Sequence, residues 1–318
     1  MKVLVTGGAG YIGSHVVMGL CESGHDVVVI DNLSSGEKDA VDSRATFIKG
    51  SIQKKEDLNQ CFEGVDTVIH LAALKSVNES MKFPQKYSEN NITGTLALLD
   101  AMHENNVKHI IFSSTAAVYG EPEYLPLDEK HPLKPINFYG YTKLSAENLL
   151  EWYKELMGIS YISLRYFNAA GYDASGRIKY LEKNPQNLIP IIMEVAAGKR
   201  DKVDVFGDNY DTPDGTGIRD YIHVSDLVKA HLNALELIQT NQSALINLGS
   251  DQQYSVMDVI KIAEKISGKD IPYNIVQRRE GDPAKIYAST AYAKKILNWS
   301  AEHSSLENII ETTWRIYK

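Results

Sequence analysis

Two periods of hydrophobic spacing alternate along the first half of the chain. Short apolar runs at Lys2–Thr6, Asp26–Ile30, Thr46–Lys49, Asp66–His70, His109–Ser113 and Ile162–Tyr166 read as buried strands. Between them, Ile12, Val16, Val17 and Leu20 fall on one face of a helix over 11–22. Leu96, Leu99 and Met102 do the same for a helix over 93–105. Buried strands separated by amphipathic helices predict an α/β fold built on a parallel, doubly wound sheet. Past Phe167 the pattern loosens. A stretch over 172–186, rich in Gly, Asn, Asp and Lys, predicts a loop crossing into another layer. Helices are predicted over 188–197 and 225–237, a short strand over 202–206 and turns over 208–217. From 238 onward short strands alternate with two helices. The organisation expected is a core over 1–167, to which part of 207–240 returns, and a smaller, partly interleaved α/β domain over 168–318.

The junction of the first strand and helix is Thr6-Gly-Gly-Ala-Gly-Tyr-Ile-Gly13. Gly7, Gly10 and Gly13 supply the free backbone that a tight strand-to-helix turn needs, and leave room for a diphosphate against backbone N–H groups at a helix start. Asp31 ends the next strand, 18 residues past Gly13, where a carboxylate can take both ribose hydroxyls of a dinucleotide. Its charge repels a 2′-phosphate, so NAD is expected rather than NADP. The core is therefore read as Rossmann-type.

Tyr139 precedes Lys143 by one helical turn, so the two share a helix face. A phenol that titrates near pH ~10 is a poor base, and a cation beside it favours the phenolate. A formal net charge of −8 argues against nucleic acid or an anionic membrane as the main partner. Cys21 and Cys61, both placed in helices, have no metal-ligand spacing and form no disulfide framework, which suits a reducing cytosol. No metal is expected. The glycine-broken start of the chain predicts no signal peptide, and no apolar run is long enough to span a membrane.

Several blocks in order make the chain resemble an extended short-chain dehydrogenase/reductase, and within that family the UDP-glucose (UDP-galactose) 4-epimerases. They are Gly7–Gly13, Ser113-Ser-Thr-Ala-Ala-Val-Tyr-Gly120, Tyr139-x-x-x-Lys143, Leu164-Arg-Tyr-Phe-Asn168, Asp214-Gly-Thr-Gly-Ile-Arg-Asp-Tyr-Ile-His223 and Arg278-Arg-Glu-Gly-Asp282. The resemblance implies that Tyr139 is the catalytic acid and base. It makes Lys143 the residue that lowers the tyrosine's pKa and binds the nicotinamide ribose, and Thr115 a stand-in for the family's usual serine. Cofactor contacts are implied at Gly7, Gly10, Tyr11, Ile12, Gly13, Asp31, Asn32, Ser51, Ile52, Leu71, Ala72, Lys75, Asn90, Lys143 and Phe167. Ser51 departs from the aspartate the family usually places there. On the UDP-sugar side the resemblance points to Lys75, Thr115, Tyr139, Tyr166, Asn168, Asn187, Leu188, Val205, Phe206, Arg219, Arg279, Asp282 and Ile286. His70 and His223 are left as structural.

The implied activity is NAD-dependent epimerisation at sugar carbon 4 through a 4-keto sugar, in the cytoplasm, by a homodimer joined through helices at 93–105 and 143–156. Isoleucine at 286, where a bulky tyrosine is associated with excluding N-acetylated sugars, extends the expected substrates from UDP-Glc/UDP-Gal to UDP-GlcNAc/UDP-GalNAc. Ala116 and Ala117 after Thr115 lack the acid–base pair of a 4,6-dehydratase. A UDP-uronate 4-epimerase or decarboxylase, and a non-catalytic NAD-binding protein, stay open as alternatives.

Overall fold

The computed structural model describes residues 1–182, 185–279 and 281–318. Seven strands form one parallel sheet: β1 (Lys2–Thr6), β2 (Asp26–Asp31), β3 (Thr46–Lys49), β4 (Thr67–His70), β5 (His109–Thr115), β6 (Ser160–Tyr166) and β7 (Ala244–Leu248), in the order β7-β6-β5-β4-β1-β2-β3. Strand order reverses between β1 and β4, which opens a crevice at the carboxyl ends of the strands.

Successive side chains on each strand feed opposite faces. Val3, Val5, Val27 and Val29 pack with Val16, Leu20, Leu227 and Ala234 beneath the helices Tyr11–Glu22 and Val224–Ile238. Leu4, Val28, Val68 and Ile110 pack with Leu98, Met102 and Leu150 on the other face, beneath Gly94–Glu104 and Phe138–Met157. Burial on both faces explains why these strands read as continuous apolar runs. A separate core joins helices Leu188–Ala196, Val256–Ser267 and Leu306–Tyr317 to the paired strands Val203–Phe206 and Tyr273–Val276.

The apolar spacing does not place β7 in the sheet. Its partner β6 lies far away in sequence, and Asn247 breaks its apolar run. That asparagine is fully buried, accepting from the Tyr119 hydroxyl at 2.6 Å and donating to the Leu127 carbonyl at 3.0 Å. Among the described residues, three helices (Val256–Ser267, Ala291–Leu297 and Leu306–Tyr317) follow residue 238, one more than the spacing predicts. Cys61 is buried just past the short helix Lys55–Asn59 rather than within a helix. Lys183, Asn184 and Glu280, part of the predicted loop and of the Arg278–Asp282 block, lie outside the described residues.

Candidate active site

The carboxyl ends of β1, β2 and β4 form one wall of the crevice. Gly7 takes φ +74°, and a β-carbon there would lie 2.6 Å from the Ala72 nitrogen. At Gly13 it would lie 2.1 Å from the Gly7 carbonyl oxygen, so the helix can start this close to β1 only without a side chain. At Gly10 the nearest protein atom to such a carbon is 3.4 Å away, which leaves an open cradle. Among the described residues, no side chain caps the helix Tyr11–Glu22 and no acid stands in its first turn, leaving its N-terminus open to an anion.

Asp31 accepts the Leu33 amide at 2.8 Å and the Ala9 amide at 3.0 Å. These bonds aim the carboxylate at the cradle, while partial burial raises its pKa against their pull. Asn32 is exposed and accepts the Ser34 amide. The Ser51 hydroxyl accepts the Gln53 amide at 3.2 Å, and Ile52 is buried against Gly94. The amides of Leu71 and Ala72 bond to Thr6 just beyond β4. Asn90 sits in the π-helical turn Ser88–Thr93 and donates to Asn91, which in turn donates to the Thr142 hydroxyl on the helix Phe138–Met157. The cofactor wall and the catalytic helix are thus tied together. Tyr11 donates to the Gly171 carbonyl at 2.5 Å, and Lys75 pairs with Glu182 at 2.9 Å. These two contacts bridge the lobes. A glycine cradle, an open helix start and an aimed carboxylate fit a dinucleotide carrying free ribose hydroxyls.

The other wall carries Tyr139, Lys143 and Thr115. Asn137 caps the helix Phe138–Met157 by accepting the Gly140 amide at 2.8 Å, which fixes where its first turn begins. Tyr139 in that turn donates its backbone amide to the Ser80 hydroxyl, and its side chain is hydrogen-bonded to Thr115 at the end of β5. Burial pushes the Tyr139 hydroxyl up to about 12, and the Thr115 hydroxyl pulls against that. Lys143, one turn on, is pushed down to about 7 by burial, with Glu147 opposing. Its ammonium donates to the Ser113 carbonyl at 2.7 Å and lies 4.8 Å from the centre of the Phe112 ring. The Thr115 hydroxyl thus eases ionisation of Tyr139 against the effect of its burial.

Tyr166 and Val205 lie in cores. The Tyr166 hydroxyl bonds His231 Nε2 at 2.7 Å, while Val205 is 1% exposed beside the half-exposed ring of Phe206. Phe167 is buried with Val118, Tyr119 and Leu127, and Ile286 packs against that group. Asn168 is exposed and anchored by two donations to the Asp220 carbonyl, at 3.0 and 2.8 Å. Asn187 and Leu188 begin the helix Leu188–Ala196, and Asn187 lines a cleft with Tyr11, Gly171 and Glu182.

Arg219 is ion-paired with Asp282, and the Arg279 guanidinium stacks 3.8 Å from the centre of the Phe206 ring. Partial burial first lowers Arg279's proton affinity; Asp282 opposes this and the neighbouring charge of Arg219 adds to it. Two guanidiniums near one carboxylate leave an excess of positive charge suited to a diphosphate. Ile286 is the cross-strand partner of Arg219.

Two residues that touch Tyr139 or Lys143 carry no sequence signal, Phe112 and Ser80, while Ser113 enters only as the start of the Ser113–Gly120 block. Phe112 looks like an ordinary strand position. Ser80 belongs to the short helix Val77–Lys82, which no hydrophobic period announces. His70, between the hydroxyls of Thr6 and Thr95, and His223, on Thr312, are buried and satisfied.

A β3-β2-β1-β4-β5-β6-β7 parallel sheet, with a glycine turn at its switch point and a tyrosine–lysine helix on the opposite wall, defines a Rossmann-like, dinucleotide-binding fold. Residues 3–249, from within β1 to just past β7, match the NAD dependent epimerase/dehydratase family. The chain belongs to that family, and its cofactor is NAD. It is 48% identical to the UDP-glucose 4-epimerase of Halalkalibacterium halodurans, over 100% of this chain and 96% of the relative. Among solved structures, it superposes on the Brucella ovis UDP-glucose 4-epimerase in complex with NAD with a TM-score of 0.96 at 41% identity, covering 99% of this chain and 98% of that one. On the UDP-Glc/GlcNAc 4-epimerase of Campylobacter jejuni the TM-score is 0.87 at 38% identity, covering 99% and 98%.

Proposed function

We propose that this protein interconverts UDP-glucose and UDP-galactose by epimerisation at sugar carbon 4, and acts likewise on UDP-GlcNAc and UDP-GalNAc. The observation that carries this is the Tyr139–Thr115 hydrogen bond at the carboxyl end of the sheet, facing a lobe that presents Arg219 and Arg279. Bound NAD supplies the hydride acceptor and donor and a positive ring beside the phenol. Thr115 bridges the sugar's 4-hydroxyl to Tyr139, which takes its proton and later returns it. Lys143 holds the phenolate by charge. Arg219 and Arg279 grip the diphosphate while Asp282 accepts from the uridine ribose. The hexose, left with few contacts, is free to turn and show its other face.

Incubating the purified protein separately with UDP-galactose, UDP-GalNAc and UDP-galacturonate tests the assignment by chromatography of the products. Conversion of the uronate alone would replace it with the uronate reading. Replacing Ile286 with tyrosine is expected to lower kcat/KM for the N-acetylated pair by about tenfold or more and leave UDP-galactose within about threefold, since it fills the space beside Phe167 without touching the anion site. Equal loss on both pairs would contradict a gate at this position. Among the described residues, no helix is long and apolar enough to cross a membrane. A cytoplasmic homodimer is part of the proposal. It is supported by exposed apolar side chains on two neighbouring helices: Leu96 on Gly94–Glu104, and Trp152, Leu156 and Met157 on Phe138–Met157.

A further inference from the structure

Behind the catalytic pair lies a buried ion pair for which the mechanism has no use. Glu147 stands one helical turn beyond Lys143, 5% exposed, and Arg165 on β6 is 0% exposed. Glu147 Oε1 accepts from Ser114 Oγ at 2.6 Å, Ser163 Oγ at 3.0 Å and Arg165 Nε at 3.0 Å, and Oε2 accepts from Arg165 Nη2 at 2.7 Å. The remaining guanidinium nitrogen donates to the Tyr119 hydroxyl at 3.0 Å, which donates onward to Asn247. Burying two charges is a poor way to stabilise a core that apolar residues could fill. What the pair does that apolar residues cannot is hold particular atoms in place.

The atoms held are informative. Ser114 and Arg165 are cross-strand neighbours on β5 and β6. Ser114 also lies between two β5 residues that hydrogen-bond the catalytic pair: Ser113, whose carbonyl receives the Lys143 ammonium, and Thr115, which bonds Tyr139. Glu147 shares a helix with both Tyr139 and Lys143. One carboxylate therefore fastens the helix carrying the acid–base residues to the strand carrying their partners. It does so at the single position flanked by both contacts.

We propose that Glu147, held by Arg165, is a positioning residue of the catalytic site: by gripping Ser114 it keeps Thr115 on Tyr139 and the Ser113 carbonyl on Lys143. This rests on the catalytic roles given above to Tyr139, Lys143 and Thr115. The titratable and charged groups facing that pair are Glu147 on the same helix, His70 from β4, and Tyr166 and Arg165 from β6. Of these four, Glu147 is the one that bonds the Ser114 side chain.

The test compares two deletions of equal chemical size. Ser114→Ala and Ser163→Ala each remove one hydroxyl from the same carboxylate oxygen and leave the ion pair intact, but only Ser114 adjoins the catalytic contacts. Ser114→Ala is expected to lower kcat by about tenfold or more with KM and bound NAD unchanged, because loosening Thr115 misplaces the reacting hydroxyl. Ser163→Ala is expected to stay within about twofold of the parent. A second readout needs no turnover: the pH at which the Tyr139 phenolate appears, by ultraviolet difference titration against the Tyr139→Phe protein. Losing the Thr115 hydrogen bond should move it to higher pH in Ser114→Ala and leave it in place in Ser163→Ala. That titration reads positioning even if the parent fails to turn over any of the UDP-sugars, so the two ideas fail separately. Equal effects of the two deletions, or an unmoved titration in Ser114→Ala, would overturn the proposal. So would loss of soluble holoenzyme on Ser114→Ala, since the bond would then be a requirement of folding.

Discussion

Tyr139→Phe is expected to lower kcat by about 10³-fold while NAD stays bound and KM for the UDP-sugar changes by less than about twofold. The substitution removes one oxygen from a partly buried ring and nothing else. The backbone amide of residue 139 keeps its bond to Ser80, the helix keeps its Asn137 cap, and Thr115 still accepts the Ala117 amide at 3.2 Å. The dinucleotide wall at Gly7–Gly13 and Asp31 is untouched. Only proton transfer is lost, so the effect falls on kcat. Thr115 is no substitute base, because an alkyl hydroxyl is far less acidic than a phenol, and it merely relays. Steady-state rates with UDP-galactose, alongside the absorbance of protein-bound cofactor, separate chemistry from binding. Retention of a tenth or more of the parent kcat would move the base to another residue.

Local patterns in the chain carry most of the dinucleotide wall. A glycine turn, the helix that follows and an acid ending the next strand all lie within the first 31 residues, so chain geometry alone brings them together. Tyr139 and Lys143 are legible for the same reason, being one helical turn apart. What the spacing cannot show is the environment of each group. The spacing does not say that Lys143 is buried, that burial lowers its own proton affinity, or that its ammonium donates to the Ser113 carbonyl. Long-range pairing is hidden as well. β7 joins β6, Glu182 joins Lys75 and Ile286 joins Arg219 through contacts that no local period encodes. On the anion side, Arg219, Arg279 and Asp282 read as independent contacts, yet the structure couples Arg219 to Asp282 and lays Arg279 on Phe206. Glu147 is the sharpest case: at the fourth residue past Lys143 it looks like a solvated helix acid, and it is nearly sealed from water.

Lys143→Met is expected to remove activity by about 10³-fold and, at the same time, to raise the melting temperature. The amine is buried, and burial pushes it down to about 7 against the opposing charge of Glu147. An ordinary lysine titrates near ~10.4, so keeping this one charged in the fold costs on the order of 4 kcal/mol. Methionine fills much the same volume without that cost. It leaves the Ser113 carbonyl without its donor, a penalty of roughly 1–3 kcal/mol, and forgoes the contact with the Phe112 ring. The cost of stripping water from the ammonium exceeds these losses, which leaves a net gain of roughly 1–2 kcal/mol, or a few degrees. The sign with pH follows from proton counting. Below about 7 the lysine is charged in both folded and unfolded chains and its cost is present in full. Between there and about pH 10 the unfolded chain binds the extra proton, so parent stability rises with pH and the variant's advantage shrinks. Calorimetric melting of both proteins at about pH 6 and about pH 9.5 checks this, since the gap should narrow toward the higher value. A parent as stable as the variant at the lower pH would mean the buried amine costs nothing. The fold would then have solvated Lys143 rather than strained to hold it, and catalysis would need another source for the phenolate's stabilising charge.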